Sequence, residues 1–350
     1  MKSKYKRLGQ YIRQVDVRNT EGKEENLLGV SVQKKFIPSI ANTVGTDFRK
    51  YKVVKKGQFT YIPDTSRRGD KIGIALLEDY EEGLVSNVYT VFEVIDEKQL
   101  IPQYLMLWFS RPEFDRFARF KSHGSVREVM DWDEMCNVEL PVPIYEEQNR
   151  IVESYKTITD RIALKQQIND NLEATLSAYF LELFPSKNGS ETITLSELIS
   201  FGNGKSRPKT DGAIPVYGGN GVLSYTDQHN IENAVLIGRV GAYCGSVYLE
   251  QGVCWVSDNA IYAKSKITTD EYFDYFLLKG LNLFNHHVGT GQQLLTQEIL
   301  NKIEVAKPTT DTVELFNKKA KSVYATISAN NSEIIRLQEL AGVSLSRLAG

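Results

Sequence analysis

The 350-residue sequence is poor in cysteine, in long apolar runs and in the signatures of nucleotide chemistry, and each shortage removes a class of function. Its three cysteines, Cys136, Cys244 and Cys254, are odd in number and scattered, so no disulfide framework is implied and a reducing, cytoplasmic location is expected. No apolar run approaches the length that crosses a bilayer, so no membrane partner is expected. The basic start MKSKYKRLGQYIRQ lacks the apolar stretch of a secretory signal. The phosphate loop G-x-x-x-x-G-K-[ST] is missing, since Gly202-Asn203-Gly204-Lys205-Ser206 imitates only its tail. No Asn-Pro-Pro-Tyr-type amino-methyltransferase motif occurs. His286 and His287, taken with Cys244 and Cys254, match no structural zinc spacing, and no metal site is expected. Pro63-Asp64 followed by Asp96-Glu97-Lys98 formally fits a nuclease pattern in which two carboxylates hold Mg²⁺ and the lysine aids a water. So short a pattern arises often by chance, and no catalytic residue is expected; a stand-alone nuclease remains the alternative enzyme reading.

What is present describes an ordinary globular protein of two or three domains, with 41% hydrophobic and 25% charged residues. The net charge of −2 argues, taken alone, against nucleic acid, but the charge is segregated. Residues 1–72 hold seventeen Lys and Arg against seven Asp and Glu, clustered at Lys34-Lys35, Arg49-Lys50-Lys52, Lys55-Lys56 and Arg67-Arg68. A smaller excess runs from Arg111 to Arg127, and much of the acidic balance falls in two long amphipathic segments. A chain so divided suits an anion on one face and a protein partner on another.

Those two segments are copies of each other. From Glu146 to Phe184, a heptad places Ile151, Tyr155, Ile158, Ile162, Leu172, Leu176, Tyr179 and Leu183 on one stripe, with Lys165 and Asn169 in its two middle slots. A shift of 165 residues lands on Phe316, Ala320, Val323, Ile327, Asn330, Ile334, Leu337, Ala341, Ser344 and Leu348, so Lys165 is answered by Asn330. Leu140-Pro141-Val142-Pro143 leads into the first copy and Val305-Ala306-Lys307-Pro308 into the second, where Asp311 and Glu314 are placed as a capping box. Pro185 and the polar SKNGSE after it end the first copy. One helix over Glu146–Phe184 would run roughly 58 Å, too long for its stripe to be buried by a small domain alone. Matched heptads therefore predict that the two pack on each other, through Ile151, Ile158, Ile162, Leu172 and Leu176 against Val323, Ile327, Ile334 and Leu337. Polar Lys165 and Asn330 in that seam would fix register at some loss of stability.

The segments ahead of the helices repeat more faintly. Leu8-Gly9-Gln10-Tyr11-Ile12 answers Leu195-Ser196-Glu197-Leu198-Ile199, and Val85-Ser86-Asn87 answers Val256-Ser257-Asp258. Pro102–Leu107 matches Thr269–Asp274 in outline, each opening a short helix. Strands are predicted at Ala234–Ile237, Gly245–Leu249 and Ala260–Ala263. Between these landmarks the halves diverge, as two readers of different targets would. The second half carries glycine-rich loops with polar neighbours at Phe201–Lys209, Ile214–Gly221, Gly238–Gly245 and Gly289–Gln293, and the first offers His123-Gly124-Ser125-Val126-Arg127. Glycine lets a backbone approach a phosphate, while Arg, Asn, Gln and Tyr beside it can bond base edges or backbone oxygens. On that chemistry the expected DNA contacts are Lys34, Lys35, Arg49, Arg67, Arg68, Ser125 and Arg127 in the first half. In the second they are Lys205, Arg207, Lys209, Tyr217, Asn220, Tyr225, Arg239, Tyr243, Gln292 and Gln293.

The order variable half, long helix, variable half, long helix resembles the specificity subunit of type I restriction-modification systems, over essentially the whole chain. The stretches that carry the likeness are Ile214–Gly221, Leu236–Gly245, Trp255–Ala260 and the Leu140–Gln148 helix entry; Thr309-Thr310-Asp311-Thr312-Val313 stands in the second helix where Glu146-Glu147-Gln148 stands in the first. The resemblance implies an α+β chain: two α/β target-recognition domains at 1–143 and 186–308, and two long helices at 144–185 and 309–350. The helices would form an antiparallel coiled coil in a pseudo-twofold internal repeat. It implies a non-catalytic subunit that reads a bipartite double-stranded DNA target, one half-site per domain, with the helices spacing the domains. Half-sites read from one face lie about 34 Å apart. The implied partners are two DNA adenine methyltransferase subunits, which use S-adenosylmethionine, and restriction or translocase subunits, which use ATP and Mg²⁺; no cofactor is implied for this chain. The competing reading outside DNA recognition is a coiled-coil scaffold.

Overall fold

A computed structural model describes residues 5–39, 45–65, 71–122, 128–184, 191–289 and 291–349. The expected DNA contacts Arg67, Arg68, Ser125 and Arg127 lie outside these. The chain divides into two compact units, residues 1–164 with 334–350 and residues 165–333. Each contains one mixed α/β half and portions of both long helices, Tyr145–Leu183 and Thr310–Ser346. Among the described residues no helix is long and apolar enough to cross a membrane.

The two halves are closed in the same way. In the first unit the strand Tyr5–Arg7 pairs antiparallel with Glu139–Pro141, the last strand before the long helix. In the second, Thr192–Thr194 pairs antiparallel with Glu304–Ala306 in the same place. A helical turn follows each opening strand, Leu8–Gln10 in one and Leu195–Leu198 in the other, the latter held by a Thr194/Glu197 capping box. The matched pentapeptides of the sequence are these turns.

Inside that frame the sheets differ. The first half has a four-stranded antiparallel sheet in the order Ile12–Val15, Thr90–Val94, Phe59–Tyr61, Ile74–Leu76, with two small ribbons beside it. Its core is aromatic: Phe59 stacks on Phe92 with centroids 4.8 Å apart, and Phe109 meets both edge-on. The helices Pro102–Phe109 and Pro112–Lys121 each start on a proline, and Arg111, extended because a proline follows it, separates them. The second half has one six-stranded sheet in the order Ile199–Asn203, Ala260–Ser265, Ile231–Gly238, Val247–Val256, Ile214–Gly218, Gly221–Thr226. All its pairings are antiparallel except Val216-Tyr217 with Trp255-Val256. The strand expected from Gly245 starts at Val247, since Gly245 turns the chain at φ +85°.

Each long helix also fastens a short helix of its own half with a buried amide. Gln148 accepts from the Ile101 amide and donates to the Gln99 and Pro143 carbonyls, all at 2.8 Å, anchoring the start of the Pro102 helix. Asn317 accepts from the Phe273 amide at 2.8 Å and donates to the Asp270 carbonyl at 3.1 Å, at the start of the helix Tyr272–Gly280. Shifted by the repeat of 165, Gln148 falls on Val313; the second amide stands one turn further along. The unequal helix entries are thus two placements of one device. The cap of the second helix differs from expectation as well. Thr309, not Asp311, accepts from the Thr312 amide at 3.1 Å, because the helix begins at Thr310, directly after Pro308-Thr309.

In both units the helices run antiparallel. In the first, Ile151, Val152, Leu345 and Leu348 pack on the aromatic core. In the second, Phe180, Phe273, Phe276 and Phe316 build a shared cluster, and a polar ladder crosses the seam above it. Lys165 Nζ donates to Asn330 Oδ1 at 2.8 Å and pairs with Glu333 at 3.0 Å. Asn330 Nδ2 donates to Asn169 Oδ1 at 2.7 Å, and Asn169 Nδ2 to Asn331 Oδ1 at 2.8 Å. Glu173 then accepts from Tyr275 and Lys279, tying the Tyr272 helix to the first long helix.

Two stability predictions follow from the second unit. Asn330→Leu leaves the Lys165 ammonium and the Asn169 amide short of partners and should cost about 1–3 kcal/mol in chemical denaturation. Lys165→Leu together with Asn330→Leu should recover most of that loss; equal destabilisation by single and double variants would refute the ladder's cooperativity. Asp274 is fully buried in the Tyr272 helix, its carboxylate facing the Ser265 hydroxyl without a well-formed hydrogen bond. Burial, reinforced by nearby Glu271, lifts its pKa to about 7. Its neutral form is favoured by folding, so the unit should lose stability as pH rises from the ordinary aspartate range, about 3.9, towards 7, and no further above it. Urea melts across that interval should show the slope, and Asp274→Asn should reduce it, leaving the share of Glu271, whose carboxyl burial also pushes up.

Candidate nucleic-acid interface

One end of the six-stranded sheet gathers the glycine-rich loops of the second unit. The strand Ile199–Asn203 runs out into Gly204-Lys205, whose amides donate to the Ala260 and Val256 carbonyls at 3.1 and 2.9 Å. Trp255 Nε1 reaches the Lys205 carbonyl at 3.3 Å. Arg239 donates its amide to the Asn259 carbonyl at 3.0 Å, and its own carbonyl accepts from Leu295 at 2.9 Å. Gly241 donates to Gln293 at 3.0 Å, which joins the Gly238–Gly245 and Gly289–Gln293 loops. Five separate stretches of sequence therefore meet: Gly204-Lys205, Gly219-Asn220, Arg239–Tyr243, Asn259 and Gln293.

Glycine is required at two of the crossings. A Cβ on Gly204 would lie 2.0 Å from the Ser257 carbonyl oxygen, and one on Gly238 would lie 2.2 Å from Tyr243 O and 2.6 Å from Gly219 O. These loops approach backbone to backbone, with no room for a side chain between them. They leave their polar side chains outward: Lys205, Asn220, Tyr243 and Asn259 are exposed, and Lys205, Arg207 and Lys209 have no ion-pair partner among the described residues. Arg239 is half-buried, pinned at both backbone polar atoms, and its Nε has no acceptor. A guanidinium carried on a pinned backbone, with its Nε–H short of an acceptor, is suited to receive an anion.

Other expected contacts are placed differently. Tyr217 faces inward against Tyr248 and donates to Glu250 Oε2 at 3.1 Å, while burial raises its pKa. Tyr225 is exposed on the edge strand Gly221–Thr226, and Gln292 is exposed beside Gln293. In the first unit Lys34 is a structural cation: its ammonium donates to the Ile72 carbonyl and Asp115 at 2.7 and 2.5 Å, and burial pushes its pKa down. Lys35 is exposed, and Arg49 is exposed but paired with Asp47 at 3.0 Å. Much of the basic surplus of that half is answered locally, as in Arg13–Glu93, Lys56–Glu81, Arg116–Glu113 and Lys121–Glu134. The charge count of the sequence overstates its free cations.

Two further surface groups were not anticipated. Asn259 is exposed in the polar turn Ser257-Asp258-Asn259, within the stretch Trp255–Ala260. The turn Leu283–His286 presents Phe284 and His286 beside the Tyr243 loop, because Gly245 lets that loop touch the Phe284 backbone. Asp96, of the nuclease-like pattern, accepts from the Lys98 amide at 3.0 Å and Gln99 Nε2 at 2.9 Å, a turn-forming role. No group of side chains able to hold a metal ion occurs among the described residues.

A family model described as the type I restriction modification DNA specificity domain matches residues 6–174 and, a second time, residues 187–339. Among solved structures, a type I restriction-modification system S subunit from M. genitalium is similar at TM-score 0.61 and 14% identity, covering 99% of this chain and 96% of its own. That is a likeness of fold. A structure described as the basis of complex assembly and conformational transition of the type I R-M system reaches TM-score 0.49 at 17% identity, covering 98% and 96% of the two chains. The HsdS subunit from Thermoanaerobacter tengcongensis reaches 0.37 at 18% identity, covering 99% and 96%. No curated protein matches the sequence.

The convergence of loops makes a direct prediction. Gly238→Ala must push the Tyr243 and Gly219 carbonyls apart and should destabilise the second unit by about 1–3 kcal/mol, as overpacking does. Gly241→Ala meets no atom within 4 Å, and its cost should be confined to the strain of φ +73°. Hydrogen exchange at residues 219–220 and 293 should rise in the first variant; unchanged exchange would contradict the close approach.

Proposed function

The chain belongs to the type I restriction-modification DNA specificity family, and from that membership we propose that each of its halves reads one part of a split double-stranded DNA target. In this reading residues 1–143 and 186–308 are the readers, and the long helices at 144–185 and 309–350 space them and dock two DNA adenine methyltransferase subunits and restriction subunits. S-adenosylmethionine, ATP and Mg²⁺ are used by those partners, and this chain contributes recognition. The observation that carries the reading is Arg239, held by backbone bonds on both sides and short of an acceptor, where five loops converge.

Within the second reader, Lys205, Arg207 and Lys209 suit phosphates, which position the protein, while Asn220, Arg239, Tyr243, Gln292 and Gln293 suit base edges, which specify. Tyr225 adds an exposed ring at the sheet edge. In the first reader Lys35, Arg49, Arg67, Arg68, Ser125 and Arg127 take these parts; Lys34 and Tyr217 are set aside because their polar atoms are engaged inside the fold.

The test is methylation mapping. The chain co-assembled with a DNA adenine methyltransferase subunit should direct methylation to one bipartite sequence. Arg239→Ala should relax or change one half of that sequence and leave the other intact. An unchanged map, or loss of both halves in a folded protein, would reject the assignment. Lys205→Ala should weaken binding to all sequences alike and lower the slope of log affinity against log salt by about one.

A further inference from the structure

A second arginine, in a cavity of the first unit, has an Nε–H without an acceptor among the described residues. Arg111 lies between the helices Pro102–Phe109 and Pro112–Lys121 and is only 5% exposed. Its guanidinium stacks on Trp108, 4.2 Å from the ring centroid, so one face is covered by a cation–π contact. The edge of the group, where the N–H donors point, is poorly served. Among the described residues Nε is buried with no acceptor, and the ion pair to Glu113 Oε2 is long at 3.6 Å from Nη2. Glu113 is occupied elsewhere: its carboxylate is 3.1 Å from Arg116 and is held by its own backbone amide. A buried guanidinium in this condition is costly, and an outside acceptor would relieve it.

Room for one exists. Arg111 lines a cavity of about 140 Å³ whose walls are Trp108, Phe114, Phe117 and Val138, with exposed Glu113 and Glu139 at its edge. We propose that this cavity binds a carboxylate, received by the free edge of Arg111, with the carbon stem of the ligand against the aromatic wall. A planar carboxylate matches the guanidinium fork in a way that a chloride ion does not. The two glutamates select against a dianion such as phosphate and against the nucleic acid backbone, since each added negative charge meets theirs. The carboxylate can be that of a free small acid or that of a polypeptide. The site needs nothing from the DNA-reading proposal, and its test contains no DNA.

Sodium acetate is the probe, added to the full chain against sodium chloride at equal ionic strength, with the melting temperature and the Trp108 indole NMR signal as readouts. Acetate should raise the melting temperature saturably and shift that signal, and both responses should vanish in Arg111→Met. Glu139→Gln, at an exposed position, should tighten acetate by about two- to fivefold, the size of a surface charge effect. This variant decides the matter if Arg111→Met does not fold. N-acetylglycine, a peptide-like carboxylate, separates the sources: response to both acids indicates a polypeptide carboxylate, response to acetate alone a free acid, and either supports the site. The proposal is overturned if neither acid acts, if folded Arg111→Met responds as wild type, if Glu139→Gln weakens binding, or if inorganic phosphate binds more tightly than acetate.

Discussion

The structure depends on one constraint: an amphipathic helix of nearly forty residues has more apolar stripe than a small sheet can cover. In each unit the remainder is covered by the antiparallel portion of the other long helix, and the α/β half is then rooted on that pair. The rooting uses the same three devices twice: a three-residue ribbon closed just before the helix, a helical turn behind it, and a buried amide reaching from the long helix into the half. The amides matter because they are directional. Packing of Ile151 or Phe316 against a core permits small rotations of the helix, whereas Gln148 with three bonds at 2.8 Å does not.

This division of labour explains how the halves can differ so much. The frame residues answer to the helices, while the sheets answer to whatever lies at their far end. Four strands and two ribbons in one half, and six strands in the other, both close onto the same root. In the second half the far end is built by glycines at backbone crossings, which fix where loops sit without spending side chains on it. The side chains are then free to vary, and a residue such as Asn220 or Gln293 can be exchanged while the crossings at Gly204 and Gly238 hold.

The parts legible in the sequence are those with a period or a hard local signal. The heptad from Ile151 to Leu183 and its copy from Phe316 to Leu348 announce both helices, and every one of those stripe positions is at least partly buried. Strands at Ala234–Ile237 and Ala260–Ala263 lie inside observed strands because their residues are apolar throughout and include the β-forming Val235, Ile237, Ile261 and Tyr262. The helix cap lies two residues before the one the sequence suggests, since Asp311 and Thr309 are both good caps and only the start of the helix chooses between them. The Gln148 and Asn317 anchors could not be read, because the two amides sit at different positions of the repeat and their partners are far along the chain. For the interface, the loops were visible as glycine clusters, but their meeting was not. It is created by sheet order, which brings the Lys205 and Ser257 backbones side by side although fifty-two positions separate them.

Charge shows the same limit from another side. A count over residues 1–72 suggests a broad cationic face, yet Lys34 and Lys52 have ammonium groups turned to backbone carbonyls, and Arg13 and Arg49 lie against carboxylates. What distinguishes an arginine that can receive an external anion is the state of its edge, a property of three dimensions. Arg13, with Nε and Nη2 both on Glu93 at 2.8 and 2.6 Å, has spent that edge. Arg239 and Arg111 have not: in each the Nε–H is buried without an acceptor, and the remaining surroundings set which anion fits. Around Arg239 those surroundings are exposed Lys205, Asn220 and Tyr243, which suit an extended polar ligand; around Arg111 they are an indole, two phenyl rings and two glutamates, which suit a small acid with a carbon stem. The same residue type, with the same Nε–H short of an acceptor, is thereby suited to different ligands by what stands beside it.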